Sequence, residues 1–249
     1  MAYRVGVLGS KGRMGAEVVK AVQAAEDMKL VVAIDAGDPV YSMTNEGANV
    51  VVDFTTPDAA ITHIPWLVEN GVHVVVGTTG FSPEQMQKIK DVSAAHPEVG
   101  ILLAPNFSIG AILTMRFAAE AAKFFESVEI IELHHPNKAD APSGTSIHTA
   151  AGIAKARAEA GMGEMPDATS KLLEGARGAK VDGVQIHSVR LPGLVAHEEV
   201  LLGSAGELLT IRHDSFERSS FMPGVLAGIR GVSENPGLTF GLEKFLGLA

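Results

Sequence analysis

Tyr3-Arg4-Val5-Gly6-Val7-Leu8-Gly9-Ser10-Lys11-Gly12-Arg13-Met14-Gly15 is the stretch whose reading decides the fold. Its first residues alternate into a short apolar strand that Gly9 stops. Met14, Val18, Val22 and Ala25 then recur at three- and four-residue spacing, the period of an amphipathic helix. A β-turn-α unit follows. Its turn has the form G-x-x-G-x-x-G, a variant of the dinucleotide fingerprint, placed between strand and helix as that chemistry requires. Gly9 permits the tight turn, Gly12 lets backbone approach a pyrophosphate, and Gly15 allows close packing of the helix; the helix N-terminus adds N–H donors and a positive dipole end. A structural turn without a ligand is the plainer reading of a glycine triplet. Asp35 favours the ligand, because it ends a second strand-like run about 20 residues beyond Gly15, where a ribose-binding acid belongs.

Working outward, apolar β-branched runs recur at residues 30–34, 50–54, 72–76 and 99–103, with helix-like segments between several of them. Buried parallel strands read this way. Their ends carry Gly9, Asp35, Thr55-Thr56-Pro57, Gly77-Thr78-Thr79-Gly80 and Ala104-Pro105-Asn106-Phe107, and a doubly wound sheet binds its ligand beyond those ends. After Asn106 the texture changes. Residues 112–125 form a strong helix with Arg116, Glu120 and Lys123 on one polar face, 127–133 a strand and 143–160 a helix; 184–190, 195–202 and 208–213 are strands suited to hairpins. The polar, Pro- and Gly-bearing interval 161–183 reads as a long surface connection. A last amphipathic helix follows Pro223, with Met222, Val225, Ile229 and Val232 on one stripe that needs a sheet to cover. The expected fold class is α/β, a Rossmann-like doubly wound parallel sheet domain plus a smaller α+β domain with an open mixed sheet. The expected boundaries are 1–106 with 217–249 for a discontinuous dinucleotide-binding domain, and 107–216 for a substrate-binding and oligomerisation domain.

The second domain holds the densest chemistry, Glu132-Leu133-His134-His135-Pro136-Asn137-Lys138-Ala139-Asp140-Ala141-Pro142-Ser143-Gly144-Thr145. On a regular strand His134 and His135 face opposite sides, but Pro136 ends the regular geometry and lets the backbone turn. Ser143 caps the following helix, and the N–H groups of Gly144 and Thr145 can hold a carboxylate there. Lys138 offers a second charge for an anion, or a proton for a developing carbanion or enamine. Metal binding by His134, His135, Asp140 and His148 fits no strong ligand spacing, so no metal is expected. His63, His73, His96, His187, His197 and His213 lack a comparable setting and are assigned nothing.

Bulk properties narrow the classes. A chain of 249 residues with 46% hydrophobic content can bury sizeable cores. No run approaches the roughly 18 apolar residues of a membrane helix, and the opening residues are unlike a signal peptide, so no membrane and a cytoplasmic location are expected. Without cysteine, disulfide, thiolate and zinc-ribbon chemistry are excluded. A net charge of -9 argues against nucleic acid and means that an anionic metabolite needs locally placed positive groups. Lys11, Arg13, His134, His135 and Lys138 are the candidates. Asp35 repels a 2′-phosphate whereas Lys11 and Arg13 can neutralise one, which points to NADH with NADPH tolerated.

Taken together, Gly9 to Gly15, Asp53-Phe54-Thr55, Gly77-Thr78-Thr79-Gly80, Ala104-Pro105-Asn106-Phe107-Ser108 and the motif His134 to Thr145 resemble the 4-hydroxy-tetrahydrodipicolinate reductase family, also called dihydrodipicolinate reductase. The resemblance spans nearly the whole chain. It implies NADH- or NADPH-dependent reduction of a cyclic imine dicarboxylate to tetrahydrodipicolinate, with loss of water, in diaminopimelate and lysine biosynthesis. By resemblance His134 and Lys138 match the acid/base and proton-donor positions, and His135, Lys138, Gly144 and Thr145 match substrate contacts. Gly9, Ser10, Lys11, Gly12, Arg13, Met14, Asp35, Gly77, Thr78, Thr79, Ala104, Pro105, Asn106 and Phe107 match cofactor contacts. Many relatives carry basic or histidine residues where this chain has Pro136 and Asn137, so positive charge there is lower. The resemblance also implies a homotetramer formed through the second domain, to which the sheet from Val184 to His213 would contribute. Two rivals are an NAD(P)-dependent imine reductase or amino-acid dehydrogenase of the same architecture, and a noncatalytic NADH-sensing protein, which gives no reason for His134, Lys138 and Gly144 to occur together.

Overall fold

The computed structural model describes residues 2–248 and divides them into two compact units, one running to Ser108 and resuming at Arg218, the other Ile109–Glu217. In the first unit, strand β1 (Tyr3–Leu8) leads into helix α1 (Arg13–Ala24), then β2 (Met28–Ile34), the short α2 (Ser42–Asn45), β3 (Val50–Asp53), α3 (Pro57–Glu69), β4 (His73–Val76), α4 (Pro83–Ala95) and β5 (Gly100–Leu103). After the second unit the chain returns through a 3-10 turn (Arg218–Phe221), α7 (Met222–Val232), β11 (Gly237–Phe240) and a final 3-10 turn (Glu243–Leu246). The strands form one parallel sheet in the order β11-β5-β4-β3-β1-β2.

This order follows from side-chain chemistry. Val50, Val51, Val52 and Asp53 are all buried, as a continuous β-branched run must be in a sheet covered on both faces. The chain passes from β1 outward to β2 and then returns to β3 on the other side of β1, so the topological switch lies between β1 and β3. Helix α7 packs on β3, β4 and β5 through the expected stripe, with Met222, Val225, Ile229 and Val232 buried. Strand β11, which hydrogen-bonds beside β5 at the sheet edge, was not expected; its four residues begin at Gly237, directly after Pro236, and are too few to show a period.

The second unit contains α5 (Ile109–Ala122), β6 (Ser127–His134), α6 (Gly144–Glu159), β7 (Ala179–Val181), β8 (Val184–Arg190), β9 (Ala196–Ser204) and β10 (Glu207–Ser215). Its sheet runs β10-β9-β6-β8-β7, with β6 parallel to β8 and the other neighbours antiparallel. Val128, Ile130, Val184, Ile186, Val200 and Leu202 pack one face against Ala118, Ala122, Ala150 and Ile153 of the two helices. Buried Arg157 pins α6 to the end of α5 by donating to the carbonyls of Ala122, Phe125, Glu126 and Gly163. Two expectations are corrected here. Helix α5 begins and ends three residues earlier than the 112–125 period indicated, and the interval 161–183 is not wholly a loop, because β7 pairs with β8 across a two-residue turn. Asp182 and Gly183 in that turn both have positive φ, 48° and 89°, the conformation that fits the twist of a tight hairpin. Among the described residues no helix is long and apolar enough to cross a membrane.

Candidate functional site

Two arrangements of functional groups stand on these units, one on each. In the first, a cavity of about 450 Å³ opens at the switch point, bounded by the ends of β1, β2 and β3 and by the start of α3, with Gly9, Gly12, Asp35, Asp38, Thr55 and His63 in its lining. Gly9 sits at φ 75°, and a Cβ there would lie 2.5 Å from the Phe54 carbonyl oxygen. At Gly15 a Cβ would fall 2.0 Å from the Gly9 oxygen, so only glycine lets α1 begin this close to the turn.

Helix entries in this unit are of two kinds, and α1 shares with α2 and α7 the lack of a side-chain cap. Thr56 caps α3 and Ser82 caps α4 within a capping box, but the N-cap of α1 is Gly12 and no side chain takes the first-turn donors. An uncapped helix N-terminus behind a glycine turn is built for phosphate oxygens, and the cavity beside it is large enough for part of a nucleotide. A dinucleotide fits these residues. Asp35 accepts from the Lys11 N–H at 2.7 Å and the Ala36 N–H at 2.8 Å. Those two backbone bonds, that of Ala36 first, hold its carboxyl below the usual range.

Behind the cavity, the fully buried Asp53 ties strand ends together. Its Oδ1 accepts from the Thr55 N–H at 2.9 Å, the Thr55 hydroxyl at 2.6 Å and the Thr78 hydroxyl at 3.1 Å; its Oδ2 lies 3.3 Å from His63 Nδ1. Gly77 makes room for the Phe54 ring, which packs on Phe107 with centroids 5.7 Å apart. The structure therefore brings Gly9, Gly12 and Asp35 to one cavity. Ser10, Lys11, Arg13 and Met14 lie on the turn or the start of α1. Thr78, Ala104 and Phe107 are buried in packing beyond the cavity lining, and Thr79 and Pro105 are exposed. Asn106 Oδ1 accepts from the Ser108 N–H at 2.8 Å and so shapes its own loop. Sequence reasoning assigned nothing to His63, yet it reaches the cavity wall from α3.

In the second unit Glu132 is the hub. Its carboxylate is fully buried and receives bonds from His134 Nδ1 at 2.5 Å, from both terminal nitrogens of Arg190 at 2.7 and 2.8 Å, and from the Ser143 N–H at 3.2 Å. Burial alone would raise this carboxyl, but bonds from His134, Arg190 and Ser188 overrule it and bring it down to about 2. An ionised carboxylate only accepts, so the His134 ring carries a proton on Nδ1. Glu132 and His134 share a sheet face because they are two residues apart on β6. Directly opposite Glu132 in the register stands Glu198, also buried, whose carboxyl burial pushes up despite bonds from the Ser146 and Thr149 hydroxyls.

Strand β6 ends at His134, which removes His135 from the alternating pleat. The Lys138 N–H bonds to the His135 carbonyl at 3.2 Å, closing a turn over Pro136 and Asn137 that returns Lys138 toward the start of α6. Lys138 Nζ lies 2.8 and 3.0 Å from the two carboxylate oxygens of Asp140, and the Gly144 N–H donates to one of them at 3.3 Å. Ser143 caps α6 by accepting from the Ser146 N–H at 3.1 Å. His135 Nδ1 is buried without a hydrogen-bond partner, and Thr145 is half-buried in the first turn. Thus Lys138 and Gly144 are brought together on one carboxylate, while His134 is drawn to Glu132. Arg190 and Glu198 escaped sequence reasoning because no local spacing links them to the motif, and Glu132, its first residue, was given no role there.

Comparison with known proteins matches both units. The family model described as the dihydrodipicolinate reductase N-terminus covers residues 3–107, and that described as the C-terminus covers 110–246. The 4-hydroxy-tetrahydrodipicolinate reductase of Nocardia farcinica is 59% identical over 248 residues, covering 100% of both chains. That of Mycolicibacterium gilvum is 59% identical over 246 residues, covering 99% of this chain and 100% of its own. A dipicolinate-bound dihydrodipicolinate reductase from Paenisporosarcina sp. TG-14 superimposes with a TM-score of 0.88 at 42% identity, covering 98% of this chain and 99% of the other.

Proposed function

The chain belongs to the dihydrodipicolinate reductase family, and from that premise we propose which of its residues hold the cofactor, hold the substrate and move the proton. It is a nicotinamide-dependent oxidoreductase that reduces 4-hydroxy-tetrahydrodipicolinate to tetrahydrodipicolinate, with loss of water, on the route to diaminopimelate and lysine. When bound, the reduced nicotinamide supplies the hydride.

The first unit binds the dinucleotide, with pyrophosphate on the Gly9 to Met14 turn, ribose at Asp35, and the strand ends at Gly77, Thr78, Thr79 and Ala104 to Phe107 completing the cradle. Asp35, with Asp38 beside it, favours a ribose diol over a 2′-phosphate, so NADH is the better cofactor and NADPH is accepted through Lys11 and Arg13. The second unit grips the substrate. Its two carboxylates need two positive anchors, which Lys138 with His135 and the entry of α6 at Gly144 and Thr145 supply. Loss of water from the 4-hydroxy substrate gives a conjugated imine, and hydride addition at its C4 leaves an enamine whose carbon next to C4 must then gain a proton. Lys138 gives it, with His134, held by Glu132, as the second proton-handling group.

The observation that carries this reading is the convergence of the Lys138 ammonium and the Gly144 N–H on a single carboxylate. The open face of the second unit's sheet is the contact through which four copies assemble, and we place the enzyme in the cytoplasm. Freshly generated 4-hydroxy-tetrahydrodipicolinate tests the function: NADH oxidation that depends on this compound and forms tetrahydrodipicolinate is expected. Tight NADH binding with no oxidation, or equal oxidation by unrelated imines, would refute it.

A further inference from the structure

The carboxylate that Lys138 and Gly144 share is not a ligand's but the chain's own. Asp140 meets Lys138 Nζ with both oxygens, at 2.8 and 3.0 Å, and accepts from the Gly144 N–H at 3.3 Å. Its backbone is fixed independently, since Arg190 donates to the Asp140 carbonyl at 2.8 Å while holding Glu132 with the same guanidinium. Only the side chain is left to move. We propose that Asp140 is a resident surrogate for one substrate carboxylate, filling the anion position between Lys138 and the first turn of α6 until the substrate displaces it. The inference rests on the reading of Lys138 and Gly144 as substrate anchors.

Three physical points support it. The Gly144 N–H is a single donor, so a ligand carboxylate that takes it must break the bond to Asp140. Two carboxylates held at one ammonium also repel, and the weaker one leaves. Asp140 is the one suited to leave: its side chain is 56% exposed against 21% for Lys138, so turning into water incurs no burial penalty and gives up only an exposed ion pair. While in place, Asp140 keeps the ammonium near the position where the ligand will meet it. It also bars a weakly held small anion, which cannot compete with a tethered carboxylate at high local concentration. Asp140 is therefore a specificity residue that acts by competition, and it does not enter the chemical step.

The plainer alternative is an acid that merely stabilises the helix N-terminus. Kinetics separate the two. In Asp140→Asn and Asp140→Ala, KM for the cyclic substrate and the inhibition constant of dipicolinate should both fall about two- to fivefold, the worth of an exposed pair at 1.4 kcal/mol per decade. The ratio kcat/KM should rise, and chloride or sulfate should inhibit the variants more than the parent. A helix-stabilising role lowers the melting temperature and leaves KM and the dipicolinate constant unchanged. A role in orienting Lys138 raises both. Either result in both variants overturns the proposal. A parent enzyme that fails to oxidise NADH with the cyclic substrate refutes the functional reading itself, and the surrogate role with it.

Discussion

Glu132 shows how much one residue can organise. A fully buried carboxylate is tolerated only when its charge is met, and here Arg190, His134 and the Ser143 N–H meet it. Its folded value of about 2 lies below the ordinary 4.5. The sign is that of a depressed acid: the stability it contributes is fully present above pH 4.5 and is lost as pH falls through 4.5 toward 2. The size is on the order of 3 kcal/mol. Urea midpoints should hold level above about pH 5 and fall steeply below it, and Glu132→Gln should be less stable at pH 7 with a shallower acid slope. Parallel curves for parent and variant would contradict this. Asp35 makes the second residue-scale prediction. With its carboxylate on the Lys11 and Ala36 N–H groups, Asp35→Ala frees both donors for a 2′-phosphate. The kcat/KM ratio of NADH to NADPH should drop about tenfold or more, and an unchanged ratio would remove Asp35 from cofactor choice. The hub at Glu132 was invisible in sequence because Arg190 reaches it from 58 residues away, whereas His134, Lys138 and Gly144 stand in one local run.

Among the elements, those read from the sequence carried a clear period, and those missed were too short or too polar to show one. The valine runs of β3 and β4 and the stripe of α7 each announce a buried face. Strand β7 is three half-exposed or exposed residues at a sheet edge, so its composition looks like loop; the Asp182-Gly183 pair was the signal that marked the hairpin. Helix α5 begins earlier than its period indicated, directly after Ser108, a residue type favoured at helix N-termini that apolar spacing alone does not weigh. One element feature calls for a partner. Helices α5 and α6 cover only one face of the second sheet, and on the other lie Ile131, Leu133, Leu201 and Leu208, the last 66% exposed. The proposed assembly of four copies through this face predicts a solution mass four times that of the chain by light scattering. Changing Leu201 and Leu208 to Asp should lower the mass while leaving the fold intact by circular dichroism. A parent that runs as a monomer at micromolar concentration would contradict the assignment.

At the scale of the whole molecule, two compact units carry two kinds of chemistry, and each is built by its own sheet. The first supplies a glycine turn, an uncapped helix and an acid at the cavity wall; the second supplies a histidine held by a buried carboxylate and a lysine paired with another. Cofactor binding and substrate chemistry are therefore separable by mutation. Lys138→Ala alters only the second unit, and its effect on turnover and on NADH affinity is the measurement that bears most directly on this division. Loss of kcat by about 10² to 10⁴-fold, the usual worth of a general acid, with NADH binding within a factor of about two of the parent, is the predicted result. A variant that retains most of its kcat, or one that loses NADH binding along with turnover, would contradict it.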